Sequence, residues 1–114
     1  MESNLMSYKY IDGYANPGIR VVKDFPSDAN YTALTTEYRA GIMEFTAIGT
    51  PLTADRDVIL PNINGLQWTV YNNTTSAFNL VFKVTGQTGV TVAYQKRAIV
   101  YCNGTDIVRV TPDT

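Results

Sequence analysis

A chain of 114 residues with nine basic and ten acidic side chains has a net charge of −1, so it offers no long-range field to attract a nucleic-acid backbone or an anionic membrane. It is 45% hydrophobic but only 17% charged, which leaves an Asn- and Thr-rich surface, and it is long enough for one domain to bury a core without metals or disulfides. With no histidine and one cysteine, an intrachain disulfide is excluded and a zinc site would need carboxylates alone.

The first residues, MESNLMSYKYIDGY, lack the basic and apolar regions of a secretory leader, and no apolar run approaches the ~18 residues that would cross a bilayer, so no membrane partner is expected. Residues 1–18 predict an extended arm that ends in the turn signal Asn16-Pro17-Gly18. Tyr8, Tyr10, Ile11 and Tyr14 set this arm apart from an ordinary tail, because aromatic side chains cost free energy to leave in water. Either the arm folds back as an edge strand, or it reaches a neighbouring subunit or host surface, with Tyr8 and Tyr10 on one face.

Residues 19–114 predict a single β-domain. Ile19 to Lys23 is a short strand stopped by Pro26; Ser27 or Asp28 is an N-cap candidate for one helical turn between Tyr31 and Tyr38, kept short by the β-branched Thr35 and Thr36, and the same residues fit equally a loop entering the next strand. From Gly41 to Ile48 apolar residues alternate, with Met43, Phe45 and Ala47 inward and Glu44 and Thr46 toward water or a partner. Val58-Ile59-Leu60 is a buried strand ended by Pro61. Leu66, Trp68 and Val70 then share one face, the Asn72–Ser76 loop closes a hairpin, and Phe78, Leu80, Phe82 and Val84 return as the partner face. Gly86 and Gly89 bracket a turn before Val90 and Val92. The run Ala98, Val100, Cys102 places the lone thiol as a small buried hydrophobe, and Asn103-Gly104 signals a second hairpin.

Seven or eight strands at spacings of roughly 8–12 residues predict an all-β fold, an antiparallel β-sandwich of jelly-roll or small-barrel type. Its expected core is Phe45, Trp68, Val70, Phe78, Leu80, Phe82, Val100 and Cys102. Chemistry is sparse. Asp55 and Asp57 flank Arg56 without the continuing ligand pattern of a calcium loop, and the carboxylates are scattered rather than paired across a cleft, so neither catalytic residues nor a cofactor or metal site is expected. Trp68, Tyr71 and Tyr101, with Asn72 and Asn73, are the residues a glycan-binding module would use for stacking and hydrogen bonding.

The segment INGLQWTVYNNTTSAFNLVFKV, the GVTV of Gly89 to Val92 and KRAIVYCNGTDIVRV from Lys96 to Val110 resemble a short β-rich module of tailed-bacteriophage virion proteins, including tail-fibre and related surface proteins. The resemblance implies a virion structural role, with assembly in the host cytoplasm and a homotrimer, while the scattered carboxylates already argue against an enzyme. A small β-domain behind an aromatic arm fits a capsid decoration (cement) protein whose partner is the major capsid protein or another virion protein. A tail component (fibre tip, adaptor or head-completion protein) and a host-receptor or glycan-binding module are the alternatives.

Overall fold

A computed structural model describes residues 16–114. The arm residues Tyr8, Tyr10, Ile11 and Tyr14 lie outside the described residues. Nine strands and one helical turn follow in order: β1 (Asn16–Asp24), β2 (Tyr31–Thr32), α1 (Thr35–Tyr38), β3 (Ala40–Thr46), β4 (Arg56–Ile59), β5 (Gln67–Asn72), β6 (Leu80–Lys83), β7 (Val90–Val92), β8 (Arg97–Cys102) and β9 (Ile107–Arg109). Strand β1 therefore begins at Asn16, and the Pro17-Gly18 pair expected to end the arm falls inside it, where the pairing with β3 shifts register.

The strands form a five-stranded sheet in the order β1-β3-β5-β8-β9 and a four-stranded sheet in the order β2-β4-β6-β7. Within the first, β1, β3 and β5 are mutually parallel, β8 is antiparallel to β5, and β9 is antiparallel to β8. Within the second, β2, β4 and β6 are parallel and β7 is antiparallel to β6. The fold is all-β, but the expected antiparallel sandwich of seven or eight strands is corrected to two mixed sheets with no closed barrel.

The physical reason lies in the connections. From β1 to β6 the chain changes sheet at each one, so sheet neighbours are strands two apart in sequence and point the same way. An alternating pattern specifies which side chains face inward but not the direction of the neighbouring strand. The Asn72–Ser76 loop is thus a crossover, not the closure of a hairpin, since β5 and β6 belong to different sheets. Antiparallel neighbours in chain order appear only at β6–β7 and β8–β9, whose turns hold Gly86, Gly89 and Gly104 at positive φ.

The two sheets face each other across one core. Met43, Phe45, Trp68, Val70, Ala98, Val100, Cys102 and Ile107 project from the first sheet, and Val58, Leu80, Phe82, Val90 and Val92 from the second. The rings of Phe45 and Phe82 meet across the layers with centroids 5.8 Å apart, and Phe25 packs 6.0 Å from Phe45. Of the expected core, Phe45, Trp68, Val70, Leu80, Phe82, Val100 and Cys102 are buried; Phe78 is only partly buried against the cluster because it precedes β6 rather than lying in it. The indole Nε1 of Trp68 donates to the Tyr38 carbonyl at 2.7 Å, and the Cys102 thiol donates to Asn62 Oδ1 at 3.2 Å. Thr46, expected toward water or a partner, is buried within the chain itself and donates to Asp24 Oδ1 at 2.7 Å.

Of the two readings open for this segment, a helical turn or a loop, the structure has the turn α1, and its N-cap is Leu34 and not Ser27 or Asp28. Leucine has no side-chain acceptor, so the buried Glu37 reaches back and accepts the Leu34 N–H at 2.8 Å. The same carboxylate accepts the Tyr31 hydroxyl at 2.7 and 2.8 Å, with Lys23 Nζ 3.7 Å from its Oε2. Burial, and then the hydrogen bond to Glu37, push the Tyr31 phenol well above its usual range.

Gly89 marks the tightest point of the β6–β7 turn. At φ +71° a Cβ here would stand 2.4 Å from both the Phe82 carbonyl oxygen and the Lys83 Cβ, whereas at Gly86, φ +79°, it would meet nothing within 4 Å. Gly89→Ala is expected to destabilise the domain several times more than Gly86→Ala, whose cost is about 1 kcal/mol from backbone strain alone. Equal midpoints for the two variants in urea melts would contradict this.

Candidate interaction surface

Three aspartates tie loops to the sheets. Asp24 accepts the Ile48 N–H and the Thr46 hydroxyl, both at 2.7 Å, and these bonds hold its carboxyl below the ordinary range. Asp28 accepts Thr53 Oγ1 at 2.6 Å and both Nε and Nη2 of Arg56, which lowers it to about 2. Asp106 bridges the two sheets: burial opposes its ionisation, but N–H groups including Gly89 and Ile107, each at 2.7 Å, prevail and its pKa is also lowered.

All three carboxyls have folded-state pKa values below the ordinary 3.8. Their stabilisation is complete above the unfolded value and is lost as pH falls through the folded one. The melting temperature is therefore expected to stay level from neutral pH to about 5 and to fall between about 4 and 2. Asp106→Asn should flatten part of that fall, and an acid limb identical to that of the unaltered protein would remove Asp106 from the explanation.

Asp55, Arg56 and Asp57, considered above as a calcium loop, are engaged in the fold. Asp55 accepts the Asn79 N–H at 2.9 Å, Arg56 pairs with Asp28 at 2.8 Å, and Asp57 lies 3.2 Å from Lys83 Nζ. Among the described residues, no group of three or more His, Cys, Asp or Glu side chains is placed to hold a metal ion. No helix among them is long and apolar enough to cross a membrane.

The residues considered for glycan stacking separate. Trp68 is only 1% exposed and Asn72 is fully buried, so neither offers a binding surface. Tyr71 and Tyr101 do reach the outer face of the five-stranded sheet. The register builds that face in rows across the strands. One row runs Arg20, Ile42, Thr69, Ile99; a second runs Val22, Glu44, Tyr71, Arg97; a third runs Gln67, Tyr101, Val108. The Arg97 guanidinium lies 3.9 Å from the Tyr71 ring centroid, and Arg20 Nη2 lies 3.2 Å from Glu44 Oε1.

Several apolar side chains on or beside this face remain in water: Val22 is 50% exposed, Val110 52% and Tyr101 38%. A hollow of about 230 Å³ lies among Thr69, Arg97, Ile99 and Thr111, and a larger one of about 370 Å³ opens beyond the carboxyl ends of β2, β4 and β6, among Ala33, Tyr38, Ile59, Leu60 and Val84. Parallel strands are ordinarily covered on both faces. Here β1, β3 and β5 have the core on one side and, among the described residues, nothing on the other. The alternation alone leaves Glu44 facing water or a partner and Tyr71 and Tyr101 as separate stacking candidates, without joining these positions into one face. The signal available was the run of Ile, Val and Tyr at alternate positions on both faces of IRVVK and RAIVYC, a pattern of strands buried on two sides.

Among the described residues this is a two-sheet, all-β domain with one uncovered sheet face and an open edge strand, β1. Comparison of the chain with protein-family models, with curated proteins and with solved structures found no match.

Proposed function

We propose that this chain is a structural component of a tailed-bacteriophage virion, a capsid decoration protein that binds the assembled head through its β body and its N-terminal arm, with Tyr8, Tyr10, Ile11 and Tyr14 as arm contacts. The observation that supports this reading best is the outer face of the five-stranded sheet, an apolar and aromatic surface on strands of a kind that is normally covered. In sequence the arm immediately precedes β1, the edge strand of that sheet, and this adjacency supports a joint role for face and arm in engaging one large partner. The body is a sandwich-like adhesive module, and its partner is the major capsid protein or another virion protein.

The test is binding of the purified chain to isolated particles, followed by cryo-electron microscopy. Density on the capsid lattice, lost on deletion of residues 1–14, is the expected result; density confined to the tail would overturn the decoration role in favour of a tail component. A host-receptor or glycan-binding module is favoured only by the shared placement of Tyr71 and Tyr101. A glycan-array signal abolished by Tyr101→Ala, with no particle binding, would establish that reading instead.

A further inference from the structure

We infer that β1 is a self-association edge, on which two copies of this chain pair antiparallel about a two-fold axis at Val22, joining their five-stranded sheets into one. The first support is the open ladder. Strand β1 has β3 on one side only, so along Arg20–Asp24 the backbone groups directed away from β3 have no strand partner among the described residues. An exposed edge of this kind is a template for pairing unless it is blunted.

The second support is self-complementarity. Antiparallel pairing centred on Val22 places Val22 against its own copy, Arg20 against the partner's Asp24, and Val21 against the partner's Lys23. Arg20, Val22 and Asp24 share the outer face, as their partners Ile42, Glu44 and Thr46 in β3 require. One pairing therefore sets two exposed valines together at the axis, with an opposite-charge pair on each side. Directly opposed side chains in antiparallel strands lie close enough for both contacts. Asp24 keeps capacity for the second bond: its Oδ1 takes the Thr46 hydroxyl and the Ile48 N–H, while Oδ2 receives only the Gly49 N–H, at 3.3 Å.

The other edges serve less well. Strand β2 has two residues, and β7 and β9 have three each. The Arg109 side chain of β9 also donates to the Thr91 carbonyl of β7, tying that edge to the other sheet. A five-residue ladder buries less than a standard interface, so the dimer forms in the micromolar range and depends on concentration. Its symmetry is two-fold, unlike the trimer that the virion resemblance implies, and it is independent of whether the chain belongs to a virion.

The experiment uses the full chain with Val22→Cys and a short bis-maleimide. Val22 is half exposed, whereas Cys102 is fully buried and stays unreactive. Rapid covalent dimer formation is expected at Val22→Cys but not at Thr91→Cys, an exposed position on the edge of the other sheet. In sedimentation, Val22→Lys sets two lysines against each other and is expected to weaken association roughly tenfold or more. A chain that stays monomeric up to ~100 µM, well above the micromolar range expected for the dimer, would overturn the inference. So would equal cross-linking at the two positions, or a β1 edge already covered by residues of its own arm.

Discussion

Asn72→Asp is expected to be the most damaging isosteric change in this protein. Asn72 has no solvent exposure; its Nδ2 donates to the carbonyls of Phe78 at 2.9 Å and Val92 at 3.0 Å, while Oδ1 accepts the Thr74 hydroxyl at 2.7 Å and the Thr74 N–H at 3.3 Å. Those bonds hold the crossover from β5 toward β6 against the end of β7. An aspartate preserves the shape but turns a double donor into an oxygen facing two carbonyls, inside a core that cannot solvate a charge. The expected loss is about 3–5 kcal/mol, a large share of the 5–15 kcal/mol typical of a domain.

The sign of the pH effect is a second check. The introduced carboxyl gains a folded-state pKa above its unfolded value, so the folded state binds the extra proton and the deficit relative to the unaltered protein shrinks as pH falls toward 4. Urea melts at neutral and mildly acid pH read both effects. Thr75→Ala, an exposed change in the same crossover, should stay within about 0.5 kcal/mol of the unaltered protein and serves as the control. If Asn72→Asp melted alongside that control, the account of the crossover would be wrong.

Trp68→Ala is expected to cost at least as much for a different reason. The side chain is the largest in the core, and truncation leaves a cavity that the two sheets cannot close, worth about 3–5 kcal/mol. It also strands the Tyr38 carbonyl that now receives the indole N–H, adding about 1–3 kcal/mol. Trp68→Phe separates the two contributions: it retains most of the apolar volume and loses the bond, so it should fall between the unaltered protein and the alanine variant. Circular dichroism must follow these melts, because Trp68 is the only tryptophan and both changes remove its fluorescence. In the unaltered protein that fluorescence should shift to the red on unfolding.

The candidate surface shows how far pattern reading reaches. Alternation in AGIMEFT and QWTVYN identified Met43, Phe45, Trp68 and Val70 as inward, and the structure buries all four. The same alternation left Ile42, Tyr71 and Ile99 as a residual set, and only the register across β3, β5 and β8 assembles them into one face. Asn72 was read as a loop residue available to a ligand. Its burial depends on Phe78 and Val92 arriving from the other sheet, and nothing in the neighbouring sequence announces that.

Local sequence by itself determined most of the longer strand segments, most of the inward-facing set and the glycine turns after β6 and β8, because side-chain period, β-branching and positive φ are properties of a few adjacent residues. Tertiary structure alone decided that successive strands from β1 to β6 alternate between two sheets, that their sheet neighbours are therefore parallel, and that among the described residues the outer face of the larger sheet and its β1 edge are left open. Strand direction depends on where the chain goes between strands. That is a balance of long-range burial and loop closure, to which no short stretch of residues commits.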